Sequence, residues 1–462
     1  MEKSSQAKII SWNMNHGEIC ASAARISTTK GNAAEILEKA KENEKNGELV
    51  QKVLASGHKS VIEHAVFTIA FCDVSAFVEQ FFIESRLASF TVKSRRYVDF
   101  SSLGYYIPQE LTGKELESYC SYMDMLFLAY QKMLENGIPK EDARFLLPYS
   151  FHSNFYCTVN ARELIYWIQS IQCGRGKDIP ELQDLAGQLA EQMGKVFPCL
   201  LPELETGREN SNMEEEVSYE PKVRNSMSMV DSREAGRVRM INEPSAPLKL
   251  LEMAYCTSHP GFHQPFEVGM LFKTERLREL EQLSYSFLIS DITLSGITHI
   301  VRHRMQSILI PSIKDINHSK CILPDTIKEN PGMADFYCQI LEKANHMAKQ
   351  MSQDETLKKY SYYYALSGNT MDIMTTVNAR ELHHFMKLRT CNRAQWEIRK
   401  IAVEMLKQLR SSCPELFQYF GPNCYVGGRC PEGNLSCNKM DEVVRQFKNM
   451  EQVWKLEDLL QI

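Results

Sequence analysis

No run of about 18 consecutive apolar residues occurs in the 462-residue chain, so a membrane-spanning helix is not expected. The opening residues Met1 to Ile10 are polar and lack the apolar centre of a secretory signal, and a cytoplasmic location follows as the expectation. Positive charge is not in excess either. A formal net charge of -5 excludes a general polyanion binder, which needs a basic face, although a local arginine cluster can still hold one small anion. Cysteine knuckles of the C-x2–4-C kind are missing. Of the 14 cysteines only Cys413, Cys424, Cys430 and Cys437 gather, at spacings too wide for the usual zinc site. These four read as ordinary reduced thiols, and no metal is expected. His259 and His263 straddle Pro260-Gly261, which favours a loop over a helical ligand pair.

What the chain does have is an internal repeat. The heptapeptide Thr158-Val-Asn-Ala-Arg-Glu-Leu164 returns as Thr376-Val-Asn-Ala-Arg-Glu-Leu382, an offset of 218 residues. Arg86, Ser89 and Ser94 return at the same offset as Arg304, Ser307 and Ser312. Two matches at one offset imply two copies of one domain, placed at 1–204 and 236–440. The segment 205–235, with Glu-Asn-Ser-Asn at its start, reads as a linker, and 441–462 as an amphipathic helical tail. Apolar periodicity predicts helices over 33–55, 73–83, 116–136, 334–351 and, with few breakers, 378–409. The β-branched and aromatic stretch 66–71 predicts a strand. The class is therefore α+β: in each copy a mixed or antiparallel sheet packed with long helices.

The chemistry-bearing motifs sit in the repeats. Arg302-His303-Arg304, followed by seven residues and Ser312, sets two guanidinium forks around an imidazole between apolar flanks. Such forks suit phosphate, pyrophosphate and the anionic edge of a reduced flavin. Asn378, Arg380, His384 and Arg389 follow on one predicted helix. This set resembles the RHR-x7-S signature and second conserved block of the flavin-dependent thymidylate synthases. Gly57-His58-Lys-Ser60 resembles the flavin-side loop of that family, and the resemblance extends over nearly the whole chain, once per repeat. It implies FAD held by His58, Ser60, Arg302, His303, Arg304, Asn378, Arg380 and His384. It also implies that Arg389 acts on the uracil ring, where a guanidinium beside N3 stabilises developing negative charge.

Each repeat departs from the pattern differently. In the first, the triplet is Glu84-Ser85-Arg86 and Ile171 stands at the catalytic arginine position, yet Ser94-Arg95-Arg96-Tyr97 and Arg144 match the nucleotide-phosphate groups. In the second, the triplet and Arg389 are intact, but the phosphate loop has become Ser312-Ile-Lys314-Asp315 and Tyr362 takes the second arginine position. The resemblance thus implies one composite site. Ser94, Arg95, Arg96 and Arg144 of the first repeat would bind phosphate, joined by Arg302 and Arg389 of the second. The implied reaction converts dUMP to dTMP with methylenetetrahydrofolate and NADPH as co-substrates. The family's shared subunit sites further imply a homodimer of this double-length chain. Val92 and Ile310 at the family's acidic position, and His299 where it has glutamine, leave open another pyrimidine nucleotide as substrate, or a non-catalytic nucleotide-binding protein.

Overall fold

A computed structural model describes residues 4–204 and 222–449. Strands β1 (Gln6–Trp12), β2 (Val66–Ser75), β3 (Ala88–Val92) and β4 (His152–Asn160) form an antiparallel sheet in the order β1-β2-β4-β3. After the short β5 (Ser228–Asp231) the pattern recurs. Strands β6 (Arg237–Asn242), β7 (Ser284–Thr293) and β8 (Gln306–Leu309), with β9 (Lys320–Leu323) and β10 (Thr370–Asn378) following, give a second antiparallel sheet in the order β6-β7-β10-β8. The 218-residue offset maps β2 on β7 and β4 on β10 end to end. The same offset takes the buried helix Ala76–Ile83 onto Leu294–Ile300, and Ala161–Cys173 onto the start of Ala379–Arg389.

Both copies use one device to start the helix that leaves the second strand of the order. The hydroxyls of Ser75 and Thr293 cap it by accepting from Val78 N and Gly296 N. Beneath, a buried carboxylate accepts from the capping residue's own amide: Glu181 from Ser75 N at 2.8 Å and Glu397 from Thr293 N at 2.7 Å. Burial pushes the Glu397 carboxyl up to about 7, against the hydrogen bonds from Thr293 that favour its charged form.

Two predicted long helices are broken, each by side-chain chemistry. The stretch 33–55 forms Ala33–Lys41 and Asn46–Ala55, parted where Asn43 Oδ1 accepts from Lys45 N at 2.9 Å and turns the chain. The stretch 378–409 forms Ala379–Arg389 and Trp396–Ser412. Gln395 starts the second afresh, its side chain accepting from Ile398 N.

The segment 205–235 is structured where it is described. Strand β5 pairs in parallel with β9, and the buried Lys400 ammonium donates to the carbonyls of Ser232, Arg233 and Ala235. Residues 205–221 lie outside the described part. Of 441–462, the helix Met440–Lys448 is described and the remainder from 450 on is not.

The chain divides into two compact units that do not follow the repeat boundaries. Among the described residues, one comprises 4–125, 148–204 and 354–364; the other comprises 126–147, 222–353 and 365–449. A segment from the middle of each repeat therefore packs in the unit built around the other. In the second unit the first-repeat segment is tied down by Ser367 N donating to Leu147 O at 2.9 Å and Gly368 N to Phe145 O at 3.0 Å. Only glycine allows that approach, since a Cβ on Gly368 would lie 2.8 Å from Phe145 Cβ and from Cys321 Sγ. In the first unit the second-repeat segment is held by Tyr363, whose hydroxyl donates to Glu181 Oε2 at 2.7 Å, and by Tyr122, which donates to Tyr364 O at 2.9 Å. Gly368→Ala is expected to cost about 1–3 kcal/mol by overpacking, read as a lower midpoint in urea unfolding. An unchanged midpoint would show that the segment has room to shift.

Candidate functional site

The second unit gathers Arg389, His303 and Glu381 into a chain of hydrogen bonds. His303 follows the helix Leu294–Ile300, Glu381 lies in the first turn of Ala379–Arg389, and Arg389 ends that helix two and a half turns further on. Arg389 Nε donates to His303 Nε2 at 3.0 Å, and Arg389 Nη2 to His299 O at 3.3 Å. A nitrogen that accepts from a guanidinium carries no proton. The His303 proton is therefore on Nδ1, donated to Glu381 Oε1 at 2.9 Å. Burial lowers the His303 pKa first of all, Glu381 opposes that, and the nearby Arg389 and His384 reinforce it. The ring is neutral at pH 7, and Arg389 rests on a fixed lone pair. Phe385 packs edge-on against the ring at 4.8 Å between centroids.

The remaining predicted residues of this unit surround that chain. Arg302, Arg304 and His384 are exposed, while Arg389 is half-buried. The Asn378 side chain caps the helix by accepting from Glu381 N at 2.9 Å, which leaves its amide nitrogen for a ligand. Arg380 is ion-paired with Glu281. Arg144 belongs to the same unit but is nearly fully buried, its Nε donating to Glu141 O at 2.9 Å. Its charge acts on Asp142, whose carboxylate also accepts from Trp396 Nε1 at 2.7 Å, and on Glu397.

His58, Ser60, Ser94, Arg95 and Arg96 belong to the first unit. His58 and Ser60 are exposed; Ser94 and Arg96 are half-buried. Arg95 departs from its expected role. It is 5% exposed, paired with buried Glu79 at 2.7 Å and lying over the Phe151 ring at 4.7 Å, so its guanidinium is committed inside the unit and is not offered to a phosphate.

The positions matching the hydrogen-bonded chain are closed in the first repeat. Ser85 stands at the His303 position and its hydroxyl accepts from Trp167 Nε1 at 2.7 Å; the same indole nitrogen reaches Glu163, the counterpart of Glu381, at 3.2 Å. Ile171, at the Arg389 position, is fully buried. The Arg144 position is filled by Tyr362, whose ring lies 4.6 Å from that of Phe77, tilted by 39°.

Sequence reasoning did not single out Glu381. Its signal was present in the repeated heptapeptide, but the motif recurs for another reason as well. Asn160 caps its helix by accepting from Glu163 N, as Asn378 does from Glu381 N, and Arg162 pairs with Glu63 as Arg380 pairs with Glu281.

Comparison with known proteins returns one family. "Thymidylate synthase complementing protein" matches residues 8–199 and 253–415, well over half of the chain. A flavin-dependent thymidylate synthase of Geobacter sulfurreducens is 33% identical over 175 residues, 37% of this chain and 75% of its own length. One from Clostridium tetani is 30% identical over 44% of this chain and 87% of its own length. One from Nitratidesulfovibrio vulgaris is 31% identical over 44% and 94% respectively. Among solved structures, a UMP/dUMP methylase of Streptomyces cacaoi covers 45% of this chain at 23% identity and a TM-score of 0.37, too slight a likeness to argue from.

A neutral, buried His303 makes a pH prediction. Its native pKa lies below the ordinary histidine value of about 6.5, so on acidification the unfolded chain takes up the proton first. Its contribution to stability is complete above that value and is lost as pH falls towards the native pKa. His303→Gln, whose amide can still accept from Arg389 and donate to Glu381, should flatten that fall in urea unfolding measured on either side of the histidine value. An unchanged slope would remove His303 as its source.

Proposed function

The chain belongs to the thymidylate synthase complementing protein family, and from that premise we propose that it is a flavin-dependent thymidylate synthase methylating dUMP at a site to which both repeats contribute. The observation that carries this reading is the Glu381–His303–Arg389 chain. It presents a guanidinium in a fixed orientation in the second repeat, where the first repeat has Ser85, Trp167 and Ile171.

The residues derive their roles from charge and geometry. Arg389, held through Nε by a neutral acceptor and through Nη2 by the His299 carbonyl, is oriented towards a planar anionic edge such as uracil N3 and its neighbouring carbonyl. Charge developing there is met by a group that need not reorganise. Glu381 fixes the His303 tautomer and so fixes Arg389. Ser94, Arg96 and Arg144 of the first repeat are proposed for the nucleotide phosphate. Arg144 shares the unit that holds Arg389 but is buried, 2% exposed, and joins them only as the family resemblance implies.

The donor set of the second unit fits FAD. Exposed Arg302 and Arg304 match a pyrophosphate, and the Asn378 amide and His384 imidazole can meet a polar ring edge. His58, Ser60 and Arg380 complete the proposed flavin set. FAD, when bound, would relay the hydride that NADPH supplies, and methylenetetrahydrofolate would supply the one-carbon unit. We propose further that two chains associate as a homodimer, to be read by sedimentation.

Growth of thymidine-requiring cells tests the reading. The wild-type gene should support growth and Arg389→Ala should not, with turnover of dUMP by purified protein down about 10²–10³-fold. Arg96→Ala, which alters only the first repeat, should also abolish growth. Growth with Arg389→Ala would remove that residue from the mechanism. Turnover of UMP or dCMP in preference to dUMP would redirect the substrate.

A further inference from the structure

Outside this site, three thiols close in sequence are joined by a fourth from 33 residues upstream of the first. Cys391 lies just beyond Arg389, Cys424 in the short helix Asn423–Val426, and Cys430 and Cys437 in the loop that leads to the helix Met440–Lys448. All four line one small cavity of about 20 Å³, together with Asn392 and Met440. That volume admits one water or one ion and excludes any metabolite. Cys413, the fourth member expected from sequence proximity, is not among the lining residues; Cys391 replaces it.

We propose that Cys391, Cys424, Cys430 and Cys437 form a tetrathiolate site for one soft divalent cation, zinc above all. Four sulfur donors around an ion-sized space are the donor set of a closed structural zinc site. Each thiol would lose its proton to solvent as its sulfur bonds the metal, with no change of oxidation state. Asn392, whose amide lies 3.8 Å from Cys437 Sγ, can stabilise a thiolate, and its Oδ1 accepts from Arg399 at 3.2 Å.

Among the described residues only His303, Glu381 and His384 bring three donor atoms within 4.8 Å of one another. That trio suits a metal poorly, because Glu381 and the Arg389 guanidinium already take both His303 nitrogens. The sulfurs must therefore draw inward by side-chain rotation to ligate. The ion would pin the segment after Pro422 to the loop that follows Arg389.

Metal content, not activity, is the readout. Full-length protein purified under reducing conditions and supplied with zinc should hold one zinc per chain by elemental analysis. Its cobalt(II) form should show thiolate-to-cobalt charge transfer and tetrahedral visible bands. Cys424→Ser and Cys437→Ser should lose the metal, and Cys413→Ser should keep it. Should the serine variants fail to fold, stepwise titration of the wild type with a mercurial decides instead, zinc leaving in proportion to four thiols. Absence of zinc after reconstitution, equal loss from Cys413→Ser, or a Cys430–Cys437 disulfide in the native protein would overturn the site.

Discussion

The second repeat depends on His303 staying uncharged. A protonated imidazole would present N–H to Arg389 in place of a lone pair and set two cations against each other in a buried place. Burial prevents this, and Glu381 ties the one remaining ring proton down on the far side. The three residues come from two elements joined by the geometry of β10 and the helix that follows it. That helix starts where Asn378 caps it, which sets Glu381 one turn in and Arg389 at its end. A capping amide, a tautomer and the guanidinium proposed to act on the substrate are thus links in one mechanical series.

Comparing the repeats separates structural from chemical residues without reference to any other protein. Features present in both copies hold the fold: the asparagine caps, the Glu63–Arg162 and Glu281–Arg380 pairs, and the buried Glu181 and Glu397 under the helix starts. Among the features kept in only one copy are the residues proposed for the site. The second repeat keeps His303 and Arg389; the first keeps Ser94, Arg96 and Arg144. Where the chemistry has gone, hydrophobic and aromatic side chains fill the space, as Trp167 and Ile171 do in one place and Tyr362 against Phe77 in another.

Much of this was legible in the amino acids. The offset of 218 residues predicted two copies, and β2 with β7 and β4 with β10 coincide at that spacing to the residue. Periodicity located the long helices but ran through the breaks near Asn43 and Gln395, because a single side chain turning back on the backbone leaves the apolar pattern unaltered. The exchange of 126–147 and 354–364 between compact units was invisible, since it lies in packing rather than pattern. Arg95 and Arg96 are adjacent arginines that the sequence could not tell apart. The structure buries one against Glu79 and leaves the other accessible. Cysteine spacing likewise brought Cys413 forward and passed over Cys391, which reaches the same cavity through the fold.

The Arg95–Glu79 pair has a historical consequence. Its counterparts in the other repeat are Ile313 and Ile297, both buried. An ion pair and two isoleucines are each self-consistent, but any single exchange from one arrangement to the other leaves a lone charge in an apolar interior, at about 3–5 kcal/mol. Neither copy can drift back towards its sibling one substitution at a time. The duplication has become a ratchet: once the halves had taken different cores, their divergence was locked in by the interior rather than by any site on the surface.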